Sequence, residues 1–103
     1  MYANLLGYSD VTPFEVVRTA SATKLFVREM SAVPAEPAQP LRWVAGGFAG
    51  HCVNQTAQRW TITPDASAHT FAIRLHKNGQ WRDAGRRRYS LSDTPRRFYD
   101  MNF

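Results

Sequence analysis

The chain has 103 residues, 44% of them hydrophobic, a formal net charge of +5 and one cysteine, Cys52. That length makes one domain, residues 1–103, able to bury a core without staples. The composition argues against wholesale disorder, the lone cysteine rules out an internal disulfide, and no run approaches the ~20 apolar residues of a membrane-spanning helix.

In chain order, residues 1–13 read as irregular, with turn and cap chemistry at Tyr8-Ser9-Asp10 and Pro13. Phe14–Thr19 is β-branched and aromatic and predicts a strand. After a short connection at Ala20-Ser21-Ala22, Thr23–Glu29 alternates, with Leu25 and Val27 on one face and Lys24, Phe26 and Arg28 on the other. The two runs predict an antiparallel pair. Residues 30–40 hold Pro34, Pro37 and Pro40 among alanines and predict a surface loop. Leu41–Ala45 reads as a short edge strand, and Gly46-Gly47 then breaks regularity.

Gln58–Thr63 alternates with Trp60 and Ile62 facing one way, and Pro64-Asp65-Ala66-Ser67 is a turn. Thr70–His76 is the cleanest strand, with Phe71, Ile73 and Leu75 inward and Ala72, Arg74 and His76 outward. Asn78-Gly79 predicts a hairpin, because both residues tolerate positive φ, and Gln80–Arg82 returns as its partner. Arg87–Leu91 reads as a last strand, Thr94-Pro95 turns the chain, and residues 96–103 form a terminal segment. Helical periodicity is absent. Short strands with turns at roughly ten-residue spacing predict an all-β fold, a small antiparallel barrel or strongly twisted sheet with an irregular N-terminus and a Pro-rich loop.

Metal chemistry is not expected. His51, His69 and His76 lack ligand spacing, and His69 and His76 would point to opposite faces of one strand. No hydrolase signature surrounds a serine, and Cys52 reads first as a small packed thiol. The carboxylates are scattered; Asp83, Asp93 and Asp100 lie among arginines and are expected to pair with them. Gly46 to Gly50 offers a loop that needs positive φ more readily than an anion nest.

The charge is uneven. Arg74 to Phe103 holds eight cations and three anions, a net +5, while residues 1–73 are neutral with five of each. Eleven of the cations are arginine, whose planar fork binds phosphate or carboxylate bidentately. Arg86-Arg87-Arg88 precedes Tyr89, Arg96-Arg97 precedes Phe98-Tyr99, and Trp81 follows the Asn-Gly turn. Arginines beside aromatics suit a phosphate-and-base binder or an acidic protein surface. The candidate ligand-binding residues are therefore Arg86, Arg87, Arg88, Arg96, Arg97, Trp81, Tyr89 and Tyr99, with no catalytic or metal-ligating residue and no cofactor.

One resemblance spans nearly the whole chain. It rests on Tyr8-Ser9-Asp10 with Pro13 and Val16-Val17, Gly46-Gly47-Phe48 with His51, Gln58-Arg59-Trp60, Lys77-Asn78-Gly79-Gln80-Trp81 and Phe98-Tyr99-Asp100-Met101-Asn102-Phe103. In that order these motifs resemble a group of small phage- and prophage-encoded proteins of unassigned activity. The resemblance implies an accessory protein acting inside a bacterium, of the kind that counters host defence by binding.

The sequence thus predicts a non-enzymatic binder of a phosphate-bearing ligand, a nucleotide signal or nucleic acid. The alternative is an inhibitor or assembly factor on an acidic protein surface. MYANLLGYSD has no basic stretch followed by an apolar one, so a secretory signal and a membrane partner are not expected and a cytoplasmic setting fits. A homo-oligomer is compatible with this size.

Overall fold

The computed structural model describes residues 1–35, 43–44, 51–52 and 58–99. Ten strands lie among them: β1 (Tyr2–Leu6), β2 (Val11–Ser21), β3 (Lys24–Glu29), β4 (Ser31–Ala35), β5 (Trp43–Val44), β6 (His51–Cys52), β7 (Arg59–Thr63), β8 (Thr70–Leu75), β9 (Trp81–Arg82) and β10 (Arg88–Ser92). Six of them close a barrel in the order β1-β10-β9-β8-β3-β2, with every neighbouring pair antiparallel. It is built from two three-stranded meanders, β1-β2-β3 and β8-β9-β10. Closure consumes both sheet edges, which an open sheet of this size would leave to aggregate. Between the meanders the chain leaves the barrel to form a two-stranded ribbon, β4 with β7, and the short pair β5 with β6.

The predicted all-β class and barrel are what the chain forms. The alternation in β3 and β8 falls as expected except at the end of β8: Leu25, Val27 and Ile73 are buried and Lys24, Phe26, Ala72 and Arg74 lie on the other face, but Leu75, expected inward, is exposed. Ala3, Phe14, Leu25, Val27, Ile73 and Tyr89 make the core, with Leu5, Val16, Phe71, Trp81 and Leu91 packed against it. Phe14 lies edge-on to Phe71 and to Tyr89, with centroids 5.6 and 5.4 Å apart. Such aromatic pairs add about 0.5–1.5 kcal/mol each beyond their buried area.

Two expectations are corrected. The N-terminus is not irregular. Tyr2–Leu6 is a strand that pairs on both sides, with β2 and β10, and completes the barrel. Its short apolar run, without clear alternation, carries no strand signal of its own. Pro13 sits inside β2 because its carbonyl accepts from Met30, beyond the last β2–β3 pair; the missing N–H is on that same side, so the ladder with β1 loses nothing. The predicted loop at 30–40 begins instead with β4, in which Pro34 stands opposite Trp60 at the edge of the ribbon, where a proline is tolerated. Residues 36–40 of that loop, and the glycines from Gly46 to Gly50, lie outside the described residues.

The Asn-Gly hairpin forms as expected, joining β8 to β9. Gly79 alone has positive φ, at 80°, and the bonds His76 N–H to Gln80 O and Gly79 N–H to His76 O define a three-residue loop with glycine at the left-handed position. The next connection repeats the device. Asp83 N–H bonds Arg87 O and Arg86 N–H bonds Asp83 O, and here the left-handed residue is Arg86, at φ 67°.

After β10 the chain packs back over β1 and β2 as an extended segment. Val11 and Phe98 exchange backbone bonds of 2.9 and 3.0 Å. Asn4, 2% exposed, donates to Thr94 O at 3.3 Å and accepts from Arg96 N–H at 2.8 Å. A buried amide is tolerated because it is satisfied by that backbone.

Candidate nucleic-acid interface

The strand register carries the site. Lys24 stands opposite Arg74, Arg74 opposite Arg82, and Arg82 opposite Arg88. Residues directly opposite in adjacent strands point to the same face. All four belong to the outward set of their strands, so one row of four cations crosses β3, β8, β9 and β10. At the ordinary interstrand spacing of about 4.8 Å the row is about 14 Å long. None of the four forms an ion pair with a described residue. Like charges directly opposite destabilise a sheet, so this arrangement opposes folding.

The middle of the row is held by neutral acceptors. Arg82 donates from Nε to Gln80 Oε1 at 3.2 Å and from Nη1 to Arg86 O at 3.1 Å. These fix the guanidinium without neutralising it. Farther along the same face, the Arg18 guanidinium lies 4.4 Å and the Lys24 ammonium 5.2 Å from the Phe26 ring.

Two open grooves lie along the row. The larger, about 570 Å³, is lined by Phe71, Ala72, Arg74, His76, Arg82, Asp83, Ala84, Arg86 and Arg87. The smaller, about 290 Å³, is lined by Leu6, Gly79, Gln80, Trp81, Arg88, Tyr89, Ser90 and Leu91. Arg82 and Arg88, neighbours across β9 and β10, contribute one to each.

The wall of the larger groove carries a partly buried network. Asp83 accepts from Arg87 Nε at 2.7 Å, from Arg87 N–H at 3.0 Å and from the Tyr89 hydroxyl at 2.9 Å. Burial works to raise the Asp83 pKa, but the hydrogen bonds from Arg87 and Tyr89 outweigh it and hold the carboxyl below its usual range. Burial, and then the bond to Asp83, push the Tyr89 hydroxyl well above its ordinary value, so it stays a donor. The bond to Asp83, against some desolvation, raises Arg87 further. This network fixes the β9–β10 turn and so the positions of Arg82, Arg86 and Arg88.

The sequence-predicted residues separate into two places. Arg86, Arg87, Arg88 and Trp81 line the grooves. Arg87 is partly committed to Asp83, its side chain still 57% exposed. Tyr89 is 4% exposed and inside the barrel, so its ring is a core element and not a stacking surface. Trp81 is half-buried, one side on the core and the other toward the smaller groove.

Arg96, Arg97 and Tyr99 lie elsewhere: Arg96 against β1, through its backbone N–H to Asn4, and Arg97 and Tyr99 where the C-terminal segment meets Gln58 and Trp60. The Arg97 guanidinium is 5.0 Å from the Trp60 ring and 5.7 Å from Tyr99, and its Nη1 bonds Val11 O and Thr12 Oγ1 at 3.2 and 3.3 Å. Gln58 pairs its amide with the Tyr99 backbone, two bonds of 2.9 Å. Arg97 is thus a clamp between barrel, tail and ribbon. The expected pairing with an arginine is present at Asp83, while Asp93 forms no ion pair with a described residue. Asp100, and the side chains of His51 and Cys52, lie outside the described residues.

The residues missed by sequence reasoning are Lys24, Arg74 and Arg82. A signal for two of them existed. A hairpin centred on residue 78 pairs 74 with 82, and one centred on 85 pairs 82 with 88. Lys24 required knowing that β3 and β8 are neighbours, which nothing local encodes.

Among the described residues no three His, Cys, Asp or Glu side chains gather as a metal site, and no helix is long and apolar enough to cross a membrane. The chain matches no family model, no curated protein and no solved structure to which it was compared.

Proposed function

We propose that this is a binding protein, not an enzyme, and that its outer barrel face holds a phosphate-bearing ligand, a nucleotide or nucleic acid. One observation carries the proposal: Lys24, Arg74, Arg82 and Arg88 form a continuous row, and none of them is ion-paired with a described carboxylate. Four cations aligned against their mutual repulsion make sense where a ligand neutralises them. Arginine supplies three of the four, and its fork suits phosphate oxygens. Arg86 and Arg87 extend the charge into the larger groove.

Within this proposal the setting follows from the motif resemblance: a phage accessory protein in the bacterial cytoplasm, sequestering or contacting its ligand to counter host defence. The test is binding at low ionic strength to a panel of nucleotides and oligonucleotides, followed by calorimetry or anisotropy. Binding that weakens steeply with salt is the expected result for a polymer. Absence of binding to every phosphate-bearing probe at low salt removes the proposal.

A further inference from the structure

Closure removes the edges of the barrel, but the ribbon of β4 and β7 keeps two. We infer that the β7 edge pairs with the same edge of a second copy of this chain, antiparallel about Thr61, to form a twofold dimer.

Pro34 decides which backbone groups face outward. It stands opposite Trp60 and has no N–H, so that pair exchanges no hydrogen bonds. The bonds fall on the pairs either side, Val33 with Thr61 and Ala35 with Arg59. Arg59, Thr61 and Thr63 therefore turn their backbone groups toward β4, while Trp60 and Ile62 turn theirs to the open edge. No described strand pairs with that edge.

The two edges of the ribbon are not alike. β4 presents Ala32 and Pro34, and the proline interrupts its row of donors, which is one way natural sheets keep an edge from pairing. β7 presents Trp60 and Ile62 with their N–H and C=O groups intact, and Arg59–Thr63 contains no proline. The C-terminal segment meets a face of β7 and not its edge. Trp60 Nε1 and the Tyr99 N–H both donate to Gln58 Oε1, at 2.7 and 2.9 Å, and the Arg97 guanidinium lies 5.0 Å from the Trp60 ring.

The sequence of β7 is complementary to itself about Thr61. Antiparallel pairing there sets Trp60 opposite the partner's Ile62, and Ile62 opposite the partner's Trp60. These are aromatic–β-branched pairs, which stabilise sheets, and both members present their backbone groups outward, so each pair exchanges hydrogen bonds. Thr61 meets the partner's Thr61 in a close non-hydrogen-bonded pair, with Cα atoms about 4.5 Å apart. Charge agrees with this register. Arg59 lands opposite the partner's Thr63, with the partner's Asp65 next along the same side, and the two Arg59 side chains sit at opposite ends of the ladder. The neighbouring registers are poorer. One sets Trp60 against the partner's Pro64, which has no N–H, and the other sets Ile62 against the partner's Gln58.

A two-stranded ribbon is marginal by itself, and self-pairing makes it a four-stranded sheet. The ladder is short, so the dimer is weak and depends on concentration.

The experiment is sedimentation velocity on nucleic-acid-free protein from about 1 μM to about 1 mM at low salt. It compares the unsubstituted chain, Thr61→Lys, Thr61→Glu and an equimolar mixture of the two variants. Thr61 is exposed, so either charge leaves the monomer folded, which circular dichroism checks. The unsubstituted chain is expected to show a reversible monomer–dimer equilibrium. Each variant alone sets like charges opposite each other and should associate about fivefold or more weakly. The mixture sets Lys against Glu and should regain the lost affinity.

A monomer at every concentration overturns the dimer and leaves the β7 edge to a strand of another protein. Association that neither charge changes, or a loss that the mixture does not restore, overturns the twofold register at Thr61. Ligand binding by the cation row is read separately, so none of these outcomes decides it.

Discussion

The two arginine clusters of the C-terminal third have opposite surroundings. Arg97 is enclosed: two aromatic rings lie within 6 Å of its guanidinium, and a carbonyl and a hydroxyl accept from it. Arg74, Arg82 and Arg88 stand in line across adjacent strands with no described carboxylate paired to them. The same residue type serves cohesion in one place and presents charge in the other. Sequence proximity to an aromatic does not tell the two apart; what the guanidinium meets across the fold does.

The comparison can be broken first at the turn that shapes the free face. Asp83→Ala removes the acceptor for Arg87 and strands the Tyr89 hydroxyl in the core. A loss of about 3 kcal/mol is expected by urea unfolding, and with it a fall in Tm of roughly 12–20 °C. The same substitution loosens the turn that positions Arg82, Arg86 and Arg88, so affinity for an anionic ligand should fall even in the fraction that stays folded.

The Asp83 carboxylate also sets the acid response. Its folded pKa lies below the ordinary 3.8, so its contribution is complete above the unfolded value and is lost as pH falls through the lower folded one. Tyr89 acts oppositely. Its folded pKa is raised above the ordinary 10.0, so its contribution is complete below that value and lost as pH climbs past it. Denaturation midpoints should be level between these limits and fall on both sides, and Asp83→Ala should abolish the acid limb's share.

Arg97→Ala tests the enclosed cluster. Loss of the cation–π and hydrogen-bond contacts should cost about 2 kcal/mol in urea, with the salt dependence of ligand binding unchanged. A change in that dependence would place Arg97 with the free row. Smaller and of opposite sign, Arg86→Gly should stabilise by about 1 kcal/mol through relief of the left-handed strain, while ligand affinity falls. Smallest is Arg82→Gln, which removes two like-charge pairs but also the bonds to Gln80 and Arg86; the two effects offset, so stability should change by no more than a few tenths of a kcal/mol while binding weakens.

Much of the barrel was legible in the chain. Lys24–Glu29 and residues 70–74 alternate cleanly because one face is buried and the other wet, and period two records that directly. Tyr2–Leu6 was not legible. Its strand depends on partners almost ninety residues away in β10, and its Asn4 is buried only because Thr94 and Arg96 return to satisfy it. Ser31–Ala35 was hidden by Pro34, whose veto applies to a central strand and not to a ribbon edge.

For the site, Arg86, Arg87, Arg88 and Trp81 were legible as a cluster because they are close in sequence. The rest of the row is made by register, and register is long-range information until the strand neighbours are known. Tyr89 misled because an aromatic beside arginines looks the same whether its strand position faces in or out; the alternation Arg88 out, Tyr89 in decides it.

The most direct test of the cation row is the salt dependence of binding to a labelled oligothymidylate of about eight nucleotides, compared between the unsubstituted protein and Arg74→Gln/Arg82→Gln. Four phosphates neutralised on a single strand predict a slope of log affinity against log salt of about −3. The double variant, folded, should give about −1.5 with weaker binding throughout. Equal slopes and equal affinities in the two proteins would contradict the account.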